Sequence, residues 1–281
     1  MSDFIKARDL KYLYDEENEE LKALNDISLD ILKGSFTIVL GKNGSGKSTF
    51  ARLINALLIP SEGTIVVDGI DTSDKDMVWE IRRKAGMVFQ NPDNQMVASE
   101  VVEDIAFGPE NLGVPPEEIR KRVYDVMKFL SIEEFEHRSP SKLSGGQKQK
   151  VAIAGVLAMK PDCIILDEAT AMLDPEGRKE VLDVLEKLNK ENNITIIHIT
   201  HHMDEAINAD RLVVIDEGKV VIDGAPGNVF SNVEKLEAIG LEVPEVSKIL
   251  FNLAKYNDKI DTSILDIDRA AEEIVRIIKG N

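Results

Sequence analysis

Two hydrophobic patterns share this chain, and they occupy different stretches of it. Short apolar runs rich in β-branched residues have strand character, while longer stretches repeat apolar residues every three or four positions as helices do. Near the start, Ile27 to Ile31 and Ser35 to Leu40 read as strands. The acidic run Asp15 to Glu20, between them and the first strand, reads as a solvated loop tip. After Gly41 to Lys47, the positions Phe50, Leu53, Ile54, Leu57 and Leu58 recur at helical spacing, and the pattern stops at Pro60. Thr64 to Val67 followed by Asp68-Gly69 predicts a strand and tight turn, and Lys84 to Phe89 a strand ending at Gln90-Asn91-Pro92.

From about residue 92 to 160 the strand signals vanish. Val101 to Phe107, Ile119 to Leu130 and Val151 to Leu157 repeat at helical spacing, which predicts a helical insert. Cys163 to Leu166 then reads as a fully buried strand, Pro175 to Asn189 as a helix, Ile194 to Ile199 as a strand, and a short helix starts near Met203. This βαβ rhythm points to a parallel sheet covered by helices. Arg211 to Asp216 and Lys219 to Asp223, joined by Glu217-Gly218, form a hairpin signal that closes a main domain at about residue 230. Residues 231–281 carry only helical patterns, including Ile264, Ile267, Ala271, Ile274 and Ile278, and read as a small helical appendage. The expectation is an α/β fold with a mixed sheet core, an antiparallel β subdomain, a helical insert and a helical C-terminal extension.

Composition narrows the possible partners. The 281 residues are 43% hydrophobic and 30% charged, within the range of globular proteins. With 34 basic against 51 acidic residues the net charge is −17, the wrong balance for a nucleic-acid footprint, so no nucleic-acid partner is expected. A lone cysteine, Cys163, and a charged opening at Met1 to Lys6 suit a reducing, cytoplasmic setting. No run approaches the roughly 18 apolar residues of a membrane span, so a membrane role has to come through a partner.

Gly41-Lys42-Asn43-Gly44-Ser45-Gly46-Lys47-Ser48 matches G-x-x-x-x-G-K-[ST] between a strand and a helix, the context that this phosphate-binding loop requires. Its backbone N–H groups and the following helix N-terminus attract phosphates; Lys47 bridges the β- and γ-phosphates, and Ser48 ligates Mg²⁺. Thr49 completes the loop's contact with the nucleotide. Asp167 and Glu168 follow an apolar strand at the sheet edge where ligands bind, Asp167 to hold Mg²⁺ and Glu168 to orient or deprotonate the attacking water. Leu143-Ser144-Gly145-Gly146-Gln147 precedes a helix. Ser144 and Gln147 fit a capping box, but Gly145-Gly146 are poor helix formers that let a ligand approach the backbone.

Together with Gln90, Leu173-Asp174-Pro175 and Thr200-His201, these motifs occur in the order of an ATP-binding-cassette (ABC) ATPase, and the chain resembles that family over about residues 4–230. The resemblance implies ATP and Mg²⁺ as cofactors. It implies that Tyr14 stacks on adenine, that Gln90 joins the Mg²⁺ and water network to the helical insert, and that His201 is the switch histidine at the γ-phosphate. Tyr12, two residues from Tyr14 and on the same strand face, is the alternative aromatic. Asp174 before Pro175 also fits a plain N-cap, leaving its dimer-contact role open. His198, His201 and His202 suggest a metal site less well, since His198 sits inside a strand. Within the family the Ser144–Gln147 segment of one subunit closes over ATP held by another, so a single copy of each motif implies a dimer.

Phe89 to Gln95, Glu103 to Asn111, and the helical extension are similar to the ATPase subunits of energy-coupling-factor transporters, prokaryotic importers of vitamins and transition-metal ions. Gly146 to Gly155 and Asp167 to Asp174 look most like the first of that family's two ATPase types. The implied partners are a second ATPase subunit, alike or different, a transmembrane coupling subunit and a substrate-binding membrane subunit. The implied place is the cytoplasmic face of the cell membrane, with the partner surface near Gln90 to Asn111. Ala169, Met172 and His202 depart from the commonest cassette pattern, but none replaces a phosphate, Mg²⁺ or water ligand. The competing reading is a soluble cassette of the translation or DNA-maintenance type.

Overall fold

In a computed structural model that describes residues 2–15 and 22–279, the doubly apolar runs become the middle of a six-stranded sheet. Five of its strands are parallel, in the order β9 (Arg211–Asp216), β3 (Phe36–Leu40), β8 (Thr195–Thr200), β7 (Cys163–Asp167) and β6 (Ala85–Val88). The hairpin partner β10 (Lys219–Gly224) adds an antiparallel edge, and Glu217 and Gly218 both take positive φ in the turn, as a two-residue type I′ connection requires. Every residue of β3, β7 and β8 is buried, the mark of strands covered on both faces.

The period of two sorts these strands into two cores. Ile38, Leu40, Ile164, Leu166, Leu212 and Val214 pack with α3 (Val101–Asn111), α4 (Pro116–Leu130), α5 (Gly145–Ala158) and α6 (Pro175–Asn192). Val39, Cys163, Ile165, Ile197, Ile199, Val213 and Ile215 face the other way, toward α1 (Lys47–Ile54) and a second, antiparallel sheet. That sheet runs β2 (Lys22–Leu32), β1 (Asp3–Leu13), β4 (Glu62–Val67), β5 (Ile70–Asp71). Each fully buried Ile or Leu here contributes roughly 1.5–3 kcal/mol relative to an exposed position.

Three expectations are revised. The first helix ends at Ile54 although the apolar spacing runs on to Leu58. Ala56 adopts φ +52, and the Leu57 N–H bonds back to the Arg52 carbonyl at 2.9 Å, a left-handed helix stop that periodicity does not encode. A helix absent from the sequence reading, α2 (Val78–Lys84), precedes β6; it buries only Ile81 and leaves Trp79 exposed, too little apolar surface to make a stripe. In the extension, α7 (Pro226–Phe230), α8 (Val233–Ala238) and α9 (Glu245–Ala254) lead to α10 (Ile267–Ile278), which starts only where Asp266 caps the Arg269 N–H. Ile264 therefore lies before the helix. Of the acidic run, Asp15 is described and residues 16–20 lie outside the described residues.

Candidate nucleotide site

Because β3, β6, β7 and β8 are parallel, their carboxyl ends lie along one edge, and each delivers a predicted site residue there. β3 runs into Gly41 to Lys47, β6 precedes Gln90, β7 ends at Asp167 and Glu168, and β8 ends just before His201. Tyr14, Asn43, Gly44, Gly46, Lys47, Ser48, Thr49, Gln90 and Glu168 line one cleft of about 410 Å³, together with Ala23.

The loop is built from close approaches. A Cβ on Gly46 would stand 2.4 Å from the Ala23 carbonyl oxygen, and the residue is left-handed at φ +106. A Cβ on Gly41 would stand 2.2 Å from the Ile215 carbonyl oxygen. The β9–β10 turn braces the loop from below, since the Gly218 N–H donates to the Ser45 carbonyl at 3.0 Å and the Asn25 N–H to the Gly218 carbonyl at 2.8 Å. Helix α1 opens on Gly46 with no side-chain cap and no acid in its first turn, which leaves its N-terminal N–H groups to an anion. The Ser45 hydroxyl is buried without a hydrogen-bond partner.

Lys47 is nearly fully buried, and its Nζ donates to the Gly41 and Lys42 carbonyls at 2.8 and 3.0 Å. Burial pushes its pKa down, against the pull of Glu168 and Asp167. The Ser48 hydroxyl donates to Asp167 Oδ1 at 2.6 Å. Burial raises the pKa of Asp167 beyond what that bond and Arg52 offset. Glu168 is held at φ +50, its N–H donating across to the Ile199 carbonyl at 3.0 Å. Its Oε2 accepts from Gln90 Nε2 at 3.1 Å and lies 4.0 Å from His201 Nδ1, while Oε1 lies 3.7 Å from Lys47 Nζ. Ser48 and Asp167, which touch, and the Gln90 amide oxygen are hard oxygen donors of the kind Mg²⁺ takes.

Of the two tyrosines, Tyr14 reaches the cleft: it is 54% exposed, and its hydroxyl lies 3.0 Å from Thr49 Oγ1. Tyr12 packs against the lower core, its ring meeting that of Tyr14 edge-on at 5.0 Å. Ser144 and Gln147 do form the capping box, Ser144 Oγ accepting the Gln147 N–H at 3.4 Å and Gln147 Oε1 accepting the Ser144 N–H at 3.0 Å. Neither they nor Gly145 and Gly146 line the cleft. A Cβ on Gly145 or Gly146 would meet nothing of this chain closer than 3.7 Å, so packing within the chain does not demand glycine there. Asp174 caps α6 through the Gly177 N–H at 2.8 Å, with Pro175 at the first helical position.

His198 is fully buried and paired to Glu205, separate from His201 and His202, whose rings lie 4.3 Å apart. Among the described residues, no group of three His, Cys, Asp or Glu side chains is placed to hold a metal ion. Glu205 and Arg178 escaped the sequence reading. The available signal was His198 itself, an ionisable residue in the middle of an Ile-rich strand.

A phosphate loop, an acidic strand end and a histidine after the neighbouring strand, on this sheet, define an ATP-binding cassette. The ABC transporter family model matches residues 24–171. The chain is 54% identical over 275 residues to the energy-coupling factor transporter ATP-binding protein EcfA1 of Clostridium perfringens, covering 97% of this chain and 98% of that protein. It is 53% identical to its namesake in Caldanaerobacter subterraneus over 277 residues, 98% of this chain and 100% of the relative. Among solved structures, CbiO1 of C. perfringens, described as part of the ABC transporter complex CbiONQ, superposes with a TM-score of 0.77 at 38% identity, over 89% of this chain and 99% of its own. An ATP-binding cassette dimer in a post-hydrolysis state with ADP and Pi matches with a TM-score of 0.71 at 33% identity, over 79% of this chain and 98% of its own. The chain belongs to the energy-coupling factor transporter ATP-binding proteins of the ABC family, and is the ATP-hydrolysing subunit of an importer of that type.

Proposed function

We propose that the cleft binds ATP with adenine on Tyr14 and the phosphates on Gly41 to Thr49, and that Glu168 activates the attacking water. The observation that carries this reading is the convergence on one Glu168 carboxylate of Gln90, Lys47 and His201, from three separate segments. Lys47 neutralises charge on the phosphates. Ser48, Asp167 and Gln90 hold Mg²⁺, which when bound screens the phosphate charge. His201 meets the γ-phosphate and senses its loss.

Ser144 to Gln147 lie outside this chain's cleft, and nothing in this chain crowds a side chain at Gly145 or Gly146; both facts support a role over the nucleotide of a second subunit. ATP then joins two ATPase subunits, and hydrolysis releases them. The second subunit is a copy of this chain or a related one. The exposed Ile267, Val275 and Ile278 of α10 support a further contact between subunits through the extension. A groove of about 360 Å³ beside the insert, lined by Trp79, Phe89, Val97, Phe107 and Met159, supports docking of the transmembrane coupling subunit. No helix among the described residues is long and apolar enough to cross a membrane, so attachment runs through that partner, at the cytoplasmic face. A separate membrane subunit binds the cargo, a vitamin or a transition-metal ion.

Glu168→Gln tests the assignment: kcat for ATP hydrolysis falls by about 100-fold or more, while ATP-dependent dimerisation, read by analytical ultracentrifugation, persists. A parental rate in this variant refutes the role of Glu168.

A further inference from the structure

Beneath the His201 loop lies a buried polar cluster that contacts no part of the nucleotide cleft. His198 sits opposite Ile38 and Leu166 in the neighbouring strands, positions otherwise given to aliphatic packing. Its Nε2 lies 2.7 Å from Glu205 Oε2, and both side chains are fully buried. Glu205 Oε1 lies 3.5 Å from Nε of Arg178 in the first turn of α6. Burying such a carboxylate carries a desolvation cost, and apolar replacements of equal volume are often no less stable, so stability alone is a weak reason for the cluster. The cluster is held by the His198–Glu205 contact and by the charge of Arg178, while Glu205 Oε1, Arg178 Nε and His198 Nδ1 are buried without a hydrogen-bond partner among the described residues, so its arrangement depends on the charge of the carboxylate.

Three segments meet at this carboxylate, and two of them lead directly to the reaction site. The Thr200 hydroxyl, which lies against Glu205, accepts the backbone N–H of His202 at 3.0 Å and so ties down the peptide after His201. Thr170, two residues after Glu168, is buried near the same carboxylate, its hydroxyl likewise without a hydrogen-bond partner. Arg178 lies on the helix capped by Asp174, its N–H bonded to the Asp174 carbonyl at 2.9 Å. We propose that Glu205 is a positioning residue for hydrolysis: its carboxylate, clamped between His198 and Arg178, fixes the His201 loop against the segment after Glu168 and against α6. This rests on the roles given to His201 and Glu168 above.

Glu205→Gln keeps the shape of the side chain and removes its charge. Because Glu205 does not touch the phosphate loop, ATP binding is left intact while the reacting groups lose their alignment, and an error near 1 Å there costs up to about 100-fold in rate. The test is steady-state ATP hydrolysis by the full chain assembled with its membrane partners, with Tm measured for each variant. Glu205→Gln is expected to lower kcat by about tenfold or more with KM within about twofold. Val181→Ala, a buried change on α6, serves as the control for lost stability and is expected to hold kcat within about twofold. His198→Gln, if Glu205→Gln does not fold, is expected to show the same split between kcat and KM. Unchanged kcat in the folded variant, or an equal kcat loss in Val181→Ala at matched Tm, overturns the proposal. Glu168→Gln in the same assay separates the two readings: its retaining the parental rate refutes the Glu168 assignment, whereas a normal rate in Glu205→Gln alone refutes only the positioning role.

Discussion

At Gly46 and Glu168, which line one cleft, the backbone takes left-handed conformations. Gly46 does so at no steric cost, and its missing side chain lets the loop close on the Ala23 carbonyl. Gly46→Ala would add both a left-handed strain of roughly 1–2 kcal/mol and a contact at 2.4 Å. At 1.4 kcal/mol per factor of ten, ATP affinity is expected to fall by about tenfold or more, measured by isothermal titration with the full chain; an unchanged affinity would show that the loop relaxes elsewhere. Glu168 has no such excuse of size. Its φ of +50 is held by the bond from its N–H to Ile199, and that twist turns the carboxylate out of the sheet toward Gln90 and Lys47. The phosphate loop and the acidic pair were legible because their chemistry resides in residue types at fixed spacing. The choice of Tyr14 over Tyr12 was not, since the two are adjacent positions of one pattern, and only the end of β1 at Leu13 leaves Tyr14 outside the strand, where it reaches Thr49.

Elements were legible where their apolar surface was large and obscured where it was small. β7 and β8, buried throughout, gave unmistakable runs, whereas α2 buries a single side chain and left no pattern. The stop of α1 depends on Ala56 and on the Asn55 amide donating to the Ala85 carbonyl at 2.5 Å, a contact between segments 30 positions apart. Helix α10 poses the reverse case, with strong periodicity but little burial. Its stripe of Ile267, Ala271, Ile274 and Ile278 was readable, yet only Ala270 is buried in this chain, and Ile267 and Ile278 are 72% and 78% exposed. A stripe that covers nothing of its own chain is suited to a second subunit. Ile267→Glu with Ile278→Glu is expected to weaken self-association by about tenfold or more in sedimentation. Because both positions are exposed, Tm should move by less than about 3 °C. A large fall in Tm with association unchanged would assign the stripe to folding instead.

On the scale of the whole molecule, the fold separates Ser144 to Gln147 from the nucleotide cleft, although the sequence presents them in one series of motifs. Parallel strands bring Asn43, Gly44, Lys47 to Thr49, Gln90 and Glu168 into one cleft, joined by Tyr14 from the end of antiparallel β1, but α5 starts elsewhere, on the face where a Cβ on Gly146 would lie 3.7 Å from the Gly177 Cα at the head of α6. Sequence order cannot reveal this separation, because distance along the chain says nothing about which copy supplies a residue. On the function proposed above, two demands fall on different surfaces: the cleft holds ATP, and Ser144 to Gln147 of a partner close over it. A large cation at Ser144 should separate them. Ser144→Arg removes the hydroxyl of the capping box and puts a long side chain on the closing face, yet touches nothing in the cleft of its own chain. ATP affinity of the isolated full chain should therefore stay within about twofold, while hydrolysis by the assembled transporter falls by about tenfold or more, since a misplaced closing segment loses alignment rather than binding. Isothermal titration and a phosphate-release assay read the two quantities on the same preparation. Loss of ATP affinity in the isolated chain would mean that Ser144 serves its own cleft, and the two-subunit site would have to be given up.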